Sequence, residues 1–451
     1  MADPIKLPST QGHQAENAWR VLWLLFLANL LNVYDRVIPA VIAESLRLEF
    51  DLTDAHIGFV ATAFTLVYAI AGVPLGRLAD TKSRRAVIGA GLATWSVFTA
   101  ITGWTSSMIS FVLARMGVGI GEASYAPAAT SMISDLFPHS KRSRATGVFM
   151  LGLPLGMILG FISVGAIVEA FDSWRAPFFI AAVPGLILAA VFLFIREPKR
   201  GASELRQEES GEPVTKPIYR ILKIRTFWWV ILSGVGFNFA TYAVTAFMVP
   251  LLQRYFQADL QSAALIAGLL IGVTGLVGMS AGGMLADHVQ RRSRRGRLLL
   301  CGGSMLLAAC LTWLSLQFNG LVQFAWVFGI GWLIAYLYPV CIYPAVQDLV
   351  VPQLRSTAMA VYFAGMYLLG AAFGTLALGF LSDHYAELAR IAEGVQEISA
   401  AHRAIGLHDA MILVPMALLF AAITTFMAAR SFLADVERVR SHQVGVVANA
   451  Q

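Results

Sequence analysis

Four charged residues lie inside stretches of the sequence that are otherwise apolar. Asp35 and Arg36 are in one stretch, and Arg115 and Glu122 are in another. A charged side chain in hydrocarbon is costly, so such residues usually face the interior of a helix bundle or a water-filled cavity. A carboxyl group in that setting binds or releases a proton when a neighbouring guanidinium leaves or approaches. These residue types therefore indicate proton binding that is coupled to a conformational change.

The spacing of the four charges predicts a different role for each acid. Arg115 and Glu122 are seven residues apart, which places them on one helix face, about 10 Å apart along the axis. Arg115 and Asp35 lie at a similar depth, so we expect them to pair, with Glu122 nearer the midplane and farther from the arginines. Glu122 is then the expected proton site, and Asp35 the acid that exchanges partners. Asn32 and Arg36 lie beside it as expected substrate contacts or charge partners. The alternative is a structural ion pair that locks the two helices together.

The elements that carry these charges are membrane-spanning helices. The chain has 451 residues, of which 57% are hydrophobic and 13% charged, whereas a soluble domain is nearer one quarter charged. Twelve segments contain the roughly 20 apolar residues that a span needs. They are residues 19–43, 55–79, 86–104, 108–134, 145–168, 176–196, 226–252, 261–286, 298–316, 321–347, 356–382 and 408–430.

The distribution of basic residues predicts the orientation in the membrane. Of the 33 lysines and arginines, 26 fall in the two tails and the even-numbered loops, and five fall in the odd-numbered loops. An excess of basic residues marks the cytoplasmic side, so both termini are expected there. The net charge of +6 belongs to these loops and does not indicate nucleic acid. The first eighteen residues lack the apolar region of a signal peptide, so the first span is expected to be retained.

An internal repeat divides the chain into two halves. Two loops carry the sequence Gly-x-Leu-Ala-Asp and are followed by arginines, and two others share an aspartate, a proline and an arginine. Such a carboxylate can accept hydrogen bonds from arginines and can stabilise a helix amino terminus. We interpret these loops as a conformational latch, the alternative being a solvated charge run. The latch residues are Gly76, Asp80, Arg84, Arg85, Asp135, Gly283, Asp287, Asp348 and Arg355.

The same division gives the expected domains. Residues 1–196 form an amino-terminal six-helix bundle, 197–225 a polar cytoplasmic linker, and 226–451 a carboxyl-terminal six-helix bundle with a cytoplasmic tail. The fold class is therefore an all-α membrane protein with twelve transmembrane helices in two pseudo-symmetric bundles.

The second half has aromatic and hydroxyl groups in its spans and no charges. Asn238, Thr241 and Tyr242 lie on one face of the seventh span, and Tyr336 and Tyr362 lie in the tenth and eleventh. Such side chains are more often helix packing than ligand contacts. A cavity with charge on one wall and aromatic groups on the other nevertheless suits an amphiphile, whose anionic head would meet Arg36 or Arg115.

No catalytic, metal or cofactor motif competes with this interpretation. The sequence has no nucleotide-binding G-x-x-x-x-G-K-[ST] and no H-E-x-x-H. Its three cysteines lie in apolar spans without metal-ligand spacing. We therefore expect no enzyme activity, no metal and no cofactor.

The motifs resemble those of a known superfamily and of one family within it. The duplicated Gly-x-Leu-Ala-Asp loops resemble the major facilitator superfamily. Asn32-Val-Tyr-Asp35-Arg36 and the block from Arg115 through Glu122 to Tyr125 resemble the spinster family. Residues 33 and 34 depart from the family signature, in which asparagine and tyrosine are contiguous. This resemblance implies a lysolipid or sphingolipid transporter, here a bacterial homologue in the inner membrane. Asp35, Arg36, Arg115 and Glu122 would then be its coupling and substrate residues.

The function expected from the sequence is proton-coupled export, by antiport, of an amphiphilic lipid-like anion. A glycine-rich fifth span with Pro154 partly matches a motif that the superfamily associates with antiporters, although ordinary packing explains it equally well. The expected partners are a lipid or other amphiphilic small molecule, protons and the bilayer, and a single chain is expected to suffice. The alternatives are a proton-coupled drug or organic-anion transporter and a membrane lipid receptor that transports nothing.

Overall fold

A computed structural model describes residues 10–195, 197–198, 217–293, 295–351 and 354–448. Within these ranges every regular element is helical. The first half contains α1 (Thr10–Val41), α2 (Ala43–Phe50), α3 (Asp54–Thr81), α4 (Arg84–Gly103), α5 (Met108–Ala123), α6 (Tyr125–Leu136), α7 (His139–Met150), α8 (Gly152–Phe171) and α9 (Ala176–Phe194). A short helix, α10 (Pro217–Leu222), falls in the predicted linker, most of which lies outside the described residues.

The second half repeats the arrangement with different interruptions. It contains α11 (Arg225–Arg254), α12 (Leu260–Ala267), α13 (Thr274–Arg292), α14 (Gly296–Ser315), α15 (Leu321–Ala335), α16 (Leu337–Asp348), α17 (Arg355–Gly365), α18 (Ala372–Glu393), α19 (Ala400–Ala410) and α20 (Leu413–Ala448). Two π-helical turns complete it: Gly268–Val273 joins α12 to α13, and Met366–Ala371 joins α17 to α18. We number the spans 1 to 12 in the order predicted from the sequence.

Eleven segments of the described chain are long and apolar enough to cross a membrane. The predicted span that is not among them is span 4, formed by α5 and α6. Arg115 and Glu122 lie in it and lower its mean hydropathy. With span 4 included, the described residues contain the twelve spans that the sequence predicts.

Span 4 is interrupted at Ser124, between α5 and α6. The Ser124 hydroxyl donates to the carbonyl of Gly121 at 2.8 Å, and Pro127 lacks the N–H that would continue the helix upstream. Gly121 lies so close to span 3 that an added Cβ would be 2.6 Å from the backbone nitrogen of Trp95. Spans 3 and 4 therefore pack backbone to backbone, which holds Arg115 and Glu122 at fixed positions inside the first half.

The two halves are held together at one membrane face, which we call the closed face. It is the face at which span 2 begins with Asp54 and span 7 ends with Arg254. The Arg254 side chain, 7% exposed, contacts both Asp54 oxygens at 2.8 Å and Glu44 of α2 at 2.5 Å. Asp383 of α18 accepts hydrogen bonds from the backbone nitrogens of Asp54 and Ala55 at 3.0 and 2.8 Å. A carboxylate at a helix amino terminus also gains from the helix dipole.

The contact between the halves continues from the closed face toward the middle of the membrane. The hydroxyl of Thr62 in span 2 donates to the carbonyl of Ala372 at 2.6 Å and lies 3.1 Å from the hydroxyl of Thr375. Gly58 and Gly379 allow spans 2 and 11 to touch, since a Cβ on Gly58 would lie 2.4 Å from a carbonyl oxygen of span 11. Spans 2 and 11 are thus a tight seam that leads away from the closed face.

The opposite face carries the duplicated loops, and we call it the motif face. Here the ionic contacts that we describe stay within one half. Arg84, 1% exposed, is ion-paired with Asp135 and contacts Glu197 at 3.2 Å. In the second half Asp287 accepts from Arg297 at 2.9 Å. The inter-half polar contacts described above lie on the other side of the molecule, at the closed face and along the seam of spans 2 and 11.

Candidate functional site

The central feature of the interior is an ion pair between spans 1 and 4. The Arg36 Nε atom donates to the Glu122 carboxylate at 2.7 Å. The Glu122 side chain is fully buried, whereas that of Arg36 is 23% exposed. Our expectation that Glu122 lies farther from the arginines is therefore wrong. Position along the helix axis gives depth in the membrane but not which helix faces which, and Glu122 turns toward span 1.

Aromatic rings of span 2 support the Arg36 guanidinium. Its central carbon lies 4.4 Å from the ring centre of Tyr68 and 5.4 Å from that of Phe64. Such cation–π contacts stabilise a guanidinium without neutralising it. Because Arg36 uses Nε for Glu122 and its side chain is 23% exposed, part of its guanidinium remains accessible.

Asp35 and Arg115 are buried together, but they do not form the carboxylate–guanidinium pair that the sequence suggested. A terminal nitrogen of Arg115 contacts the backbone carbonyl of Asp35 at 3.4 Å. The Asp35 carboxylate instead accepts a hydrogen bond from the Thr99 hydroxyl at 2.5 Å. The Arg115 guanidinium also lies over Phe64, 5.3 Å from the ring centre. Thr99 lies on span 3, which also carries Thr94, Ser96 and Thr102, so the sequence alone did not distinguish it.

Several polar atoms of this cluster have no hydrogen-bonding partner among the described protein groups. They are Asn32 Nδ2, Asp35 Oδ1, Arg115 Nη1 and Glu122 Oε1. Buried polar groups are normally hydrogen-bonded, and a missing partner calls for a functional explanation. Because one oxygen of each carboxylate has no hydrogen-bonding partner, each carboxylate can accept a hydrogen bond from a new partner.

The second half faces this charge cluster with aromatic rings. Tyr242 of span 7 packs edge-on against Tyr367 of span 11, with ring centres 6.1 Å apart. Tyr343 of span 10 packs against Phe363 at 5.4 Å. Tyr242 is close enough to Arg36 to interact with it electrostatically. We call these four residues the aromatic wall. Of them, only Tyr242 was among the sequence-predicted site residues.

Two of the tyrosines that the sequence suggested for substrate binding are packed inside the second half. Tyr362 has no exposed surface, and its hydroxyl lies 3.2 Å from that of Tyr338. Tyr336, 7% exposed, packs against Gly275 and Gly278 of span 8. In this conformation neither lines an open cavity, so they contribute to packing and not to the candidate site.

The remaining predicted residues of span 7 bond to their own helix. Asn238 donates to the carbonyl of Gly234 at 3.3 Å and packs against Gly370, and Thr241 donates to the carbonyl of Phe237 at 2.8 Å. Asn238 is buried, whereas Thr241 is half-buried. Thr241 therefore lies at the edge of the site, and Asn238 helps to join spans 7 and 11.

The predicted latch residues form a compact network around Arg84. Besides its two acids, Arg84 donates to the carbonyl of Pro198 at 2.9 Å, and Arg85 donates to the carbonyl of Ile195 at 2.9 Å. Burial tends to raise the pKa of Glu197, but hydrogen bonds from Ser83 and Arg84 outweigh it and lower that pKa. This network ties the loop between spans 2 and 3 to the end of span 6.

Of the other latch residues, the charged ones whose side chains the structure describes lie at the surface of the motif face. Asp348 and Arg355 are exposed, and a Cβ added to Gly283 would meet nothing within 4 Å. A Cβ added to Gly76 would lie 3.7 Å from Pro127, within its own half. The side chain of Asp80 lies outside what the structure describes.

The glycines of span 5 pack against span 1. A Cβ on Gly156 would lie 2.5 Å from the carbonyl oxygen of Leu30, and one on Gly160 would lie 3.0 Å from Val37. Close packing is thus sufficient to explain these glycines. Among the residues that the structure describes, no cluster of His, Cys, Asp and Glu could hold a metal ion.

The fold and this interior site define a class of transport protein. The sequence profile of the Major Facilitator Superfamily matches residues 25–390, and the chain belongs to that superfamily. Protein spinster homolog 1 of Xenopus tropicalis is 30% identical over 390 residues, which cover 80% of this chain and 72% of the relative. Within the superfamily, the chain belongs with the spinster proteins.

Other relatives agree with this placement. An MFS-type efflux pump of Mycolicibacterium smegmatis is 27% identical over 82% of this chain and 86% of its own length. A sphingosine-1-phosphate transporter, SPNS2 of Danio rerio, is 26% identical over 92% of this chain and 84% of its own. The crystal structure of a bacterial homologue of the human lysosomal transporter spinster, inward-facing and unoccupied, matches with a TM-score of 0.85. It is 25% identical and covers 93% of this chain and 98% of that one.

Proposed function

We propose that this protein exports an amphiphilic lipid-like anion, such as a lysolipid or sphingolipid, in exchange for protons. The observation that carries the proposal is the ion pair of the partly exposed Arg36 with the buried Glu122, close to Tyr242 of the aromatic wall. The Danio rerio relative that transports sphingosine-1-phosphate supports this class of substrate. The positive-inside pattern makes the motif face cytoplasmic, and in this proposal the substrate cavity opens to that face.

The geometry supports the following cycle. A phosphate head group binds the exposed edge of Arg36 and displaces Glu122, because a guanidinium binds phosphate with two parallel hydrogen bonds. Glu122 then turns toward Arg115, which lies one heptad earlier on the same span and balances its charge. The acyl tail lies along the aromatic wall. After release on the other side, Glu122 takes up a proton there, carries it through the return step and releases it to the cytoplasm as it pairs with Arg36 again, whose charge favours the ionised carboxylate.

The proposal extends to the cellular setting. The chain acts alone in the bacterial inner membrane, with both termini in the cytoplasm and a cytoplasmic linker between bundles 1–196 and 226–451. Transport requires no bond-making group, and we propose no catalytic activity. In this scheme the alternating states differ in which membrane face is held shut, and the latch loops act when the motif face closes.

Transport in proteoliposomes tests the proposal. Labelled sphingosine-1-phosphate is added outside, and the lumen is made acidic, alkaline or neutral relative to the outside. We expect an acidic lumen to accelerate uptake several-fold, because protons leave as the anion enters. Glu122→Gln should lose this acceleration, whereas Glu169→Gln, which removes an exposed acid at the end of span 5, should keep it.

Two results would contradict the proposal. Uptake driven by an acidic exterior would mean that proton and anion travel together, since a proton on Glu122 would then free Arg36 for the anion. Gradient-driven uptake that persists in Glu122→Gln would show that the coupled proton does not bind to Glu122 of span 4.

A second candidate is a proton-coupled exporter of drugs or organic anions. The Mycolicibacterium smegmatis relative, named an efflux pump, favours it. An aromatic wall also accepts many apolar shapes. Competition separates the two: inhibition of sphingosine-1-phosphate uptake by unrelated amphiphiles at similar concentrations favours the drug exporter. Binding of the lipid without any uptake would instead favour a receptor.

A further inference from the structure

The Thr99 hydroxyl departs from what threonines in these helices usually do. A helical threonine commonly donates to the carbonyl four residues earlier. Thr65, Thr102, Thr241 and Thr312 do so, at 2.7 to 2.8 Å. The donor bond described for Thr99 goes instead to the carboxylate of Asp35 on span 1.

The exceptions among the threonines have tertiary roles. Thr62 bonds across the seam between the halves, and Thr226 bonds to Asp435 of span 12. A threonine that gives its hydroxyl to another span therefore marks a specific contact. Thr99 has no exposed surface and Asp35 is 3% exposed, so water does not compete for their bond.

The bond occupies one oxygen of Asp35 and leaves the other open. Oδ2 accepts from Thr99 at 2.5 Å, whereas Oδ1 has no partner among the described protein groups. The charged groups that face Asp35 are Arg36 on its own helix and Arg115 and Glu122 on span 4. The Tyr34 phenol is adjacent on span 1 and shares a hydrogen bond with Ser163 of span 5 at 2.9 Å. Span 3 contributes a hydroxyl and no charge.

We propose that Thr99 is a positioning residue for proton coupling. It fixes the Asp35 carboxylate by one oxygen and directs the other, Oδ1, to the place where a proton or a guanidinium binds. The proposal deepens the function proposed above and rests on it for the consequence in transport. The hydrogen bond favours the ionised carboxylate, so its removal should make Asp35 take up a proton more readily.

Infrared spectroscopy of the purified protein tests the bond without any substrate. A protonated buried carboxyl has a carbonyl stretch that can be followed during a pH titration, and Asp35→Asn identifies which part of the band belongs to Asp35. In Thr99→Val we expect the midpoint of that part to move about one pH unit upward, a typical size for one lost hydrogen bond to a charge. Thr99→Ala provides a second variant if the valine is not accommodated.

Two further variants separate a positioning role from packing. Thr99→Ser keeps the hydroxyl and should restore the wild-type midpoint. Thr102→Val removes a buried hydroxyl on the same helix that bonds only to a carbonyl, and it should leave the midpoint unchanged. If Thr99→Val titrates like the wild type, or if Thr99→Ser shifts as far as Thr99→Val, the proposal is overturned.

Transport measurements then test whether the hydrogen bond between Thr99 and Asp35 affects function. The pH profile of sphingosine-1-phosphate uptake should shift in Thr99→Val in the same direction as the infrared midpoint, and Thr99→Ser should reverse the shift. An infrared shift in a protein that transports no sphingosine-1-phosphate would leave the positioning role standing and would overturn only the proposed substrate. If Thr99→Val shifts the infrared midpoint but transports sphingosine-1-phosphate with the wild-type pH profile, the link between this hydrogen bond and proton coupling is overturned.

Discussion

The two membrane faces of this protein use similar charged residues for opposite purposes. At the closed face, Arg254 of the second half is buried against Glu44 and Asp54 of the first half. At the motif face, Arg84 is equally buried, but its acids, Asp135 and Glu197, belong to its own half. One arginine therefore joins the halves, and the other stabilises a single half.

The difference indicates which contacts stabilise the present arrangement of the two halves and which stabilise the fold of one half. Burying a charge is costly unless it is paired, so removing one partner of a buried pair typically costs about 3–5 kcal/mol. At the closed face that cost would be relieved by separating the halves and admitting water. At the motif face it would be relieved only by unfolding part of the first half. Equivalent substitutions should thus change different measurements.

The largest effect is expected from Arg254→Ala. It leaves Asp54 buried without its cation, while Glu44 keeps only Arg47, so the population with the closed face open should rise by about 100-fold or more. Spin labels at residues 48 and 397, both exposed at this face, report the change as longer distances in double electron–electron resonance. Cys310, the exposed free cysteine, is first replaced by serine.

Arg175→Ala is the matched control for that experiment. Arg175 contacts Glu49 at 2.6 Å near the same face, but both belong to the first half and are about one-third exposed. Hydrogen bonds from Arg175 lower the pKa of Glu49, yet no contact between the halves depends on them. Equal distance changes in Arg175→Ala and Arg254→Ala would show that the inter-half pair has no special role.

A smaller effect, of a different kind, is expected from Arg84→Gln. The distances at the closed face should stay as in the wild type, while the melting temperature of the purified protein falls by roughly 5 °C or more. Arg85→Gln, which removes donors to main-chain carbonyls at the surface, should have little effect on melting. A shift of the closed-face distances in Arg84→Gln would break the distinction between the faces.

The smallest effect on the closed-face distances is expected from lowering the pH. Burial tends to raise the pKa of Glu44, but hydrogen bonds from Arg47 and Arg254 outweigh it and lower that pKa below the ordinary value of 4.5. A lowered pKa means that the stabilising contribution of Glu44 is complete above the ordinary value and is lost as the pH falls through the lowered one. The closed-face distances should therefore hold between pH 8 and 6 and lengthen only below about pH 4.5.

Glu44→Gln separates this effect from other titrations. The variant lacks the ionised partner at every pH, so its distances should respond less to acid than those of the wild type. A wild-type transition near neutral pH that disappears in Glu44→Gln would contradict the lowered pKa.

The sequence predicts the spans and the charges well, for simple physical reasons. Apolar length identifies a span, and a charge inside one is conspicuous, so Arg36 and Glu122 stand out by residue type and position alone. What the sequence could not give was the rotation of each helix about its own axis. That rotation decides that Glu122 meets Arg36 and that Asp35 meets Thr99.

The ion pairs of the closed face could not be predicted from the sequence for a related reason. Arg254 is one basic residue in a loop by sequence count, and its partner Asp54 is 200 positions away. Nothing local distinguishes it from Arg390, which pairs with a near neighbour, Glu387. The aromatic wall shows the same limit, since the residue type that favours Tyr242 as a site residue also favours the buried Tyr362.

The π-helical turns of spans 8 and 11 have a consequence for insertions and deletions. A π-helical turn bonds each residue to the fifth along and not the fourth, so it holds an extra residue relative to an α-helix. Deleting one residue within 268–273 or 366–371 would convert the turn to α-helix and leave the rest of the span facing the same way. A deletion elsewhere in either span would rotate everything beyond it by about 100°. Single-residue deletions should therefore be tolerated at these two places and rejected around them.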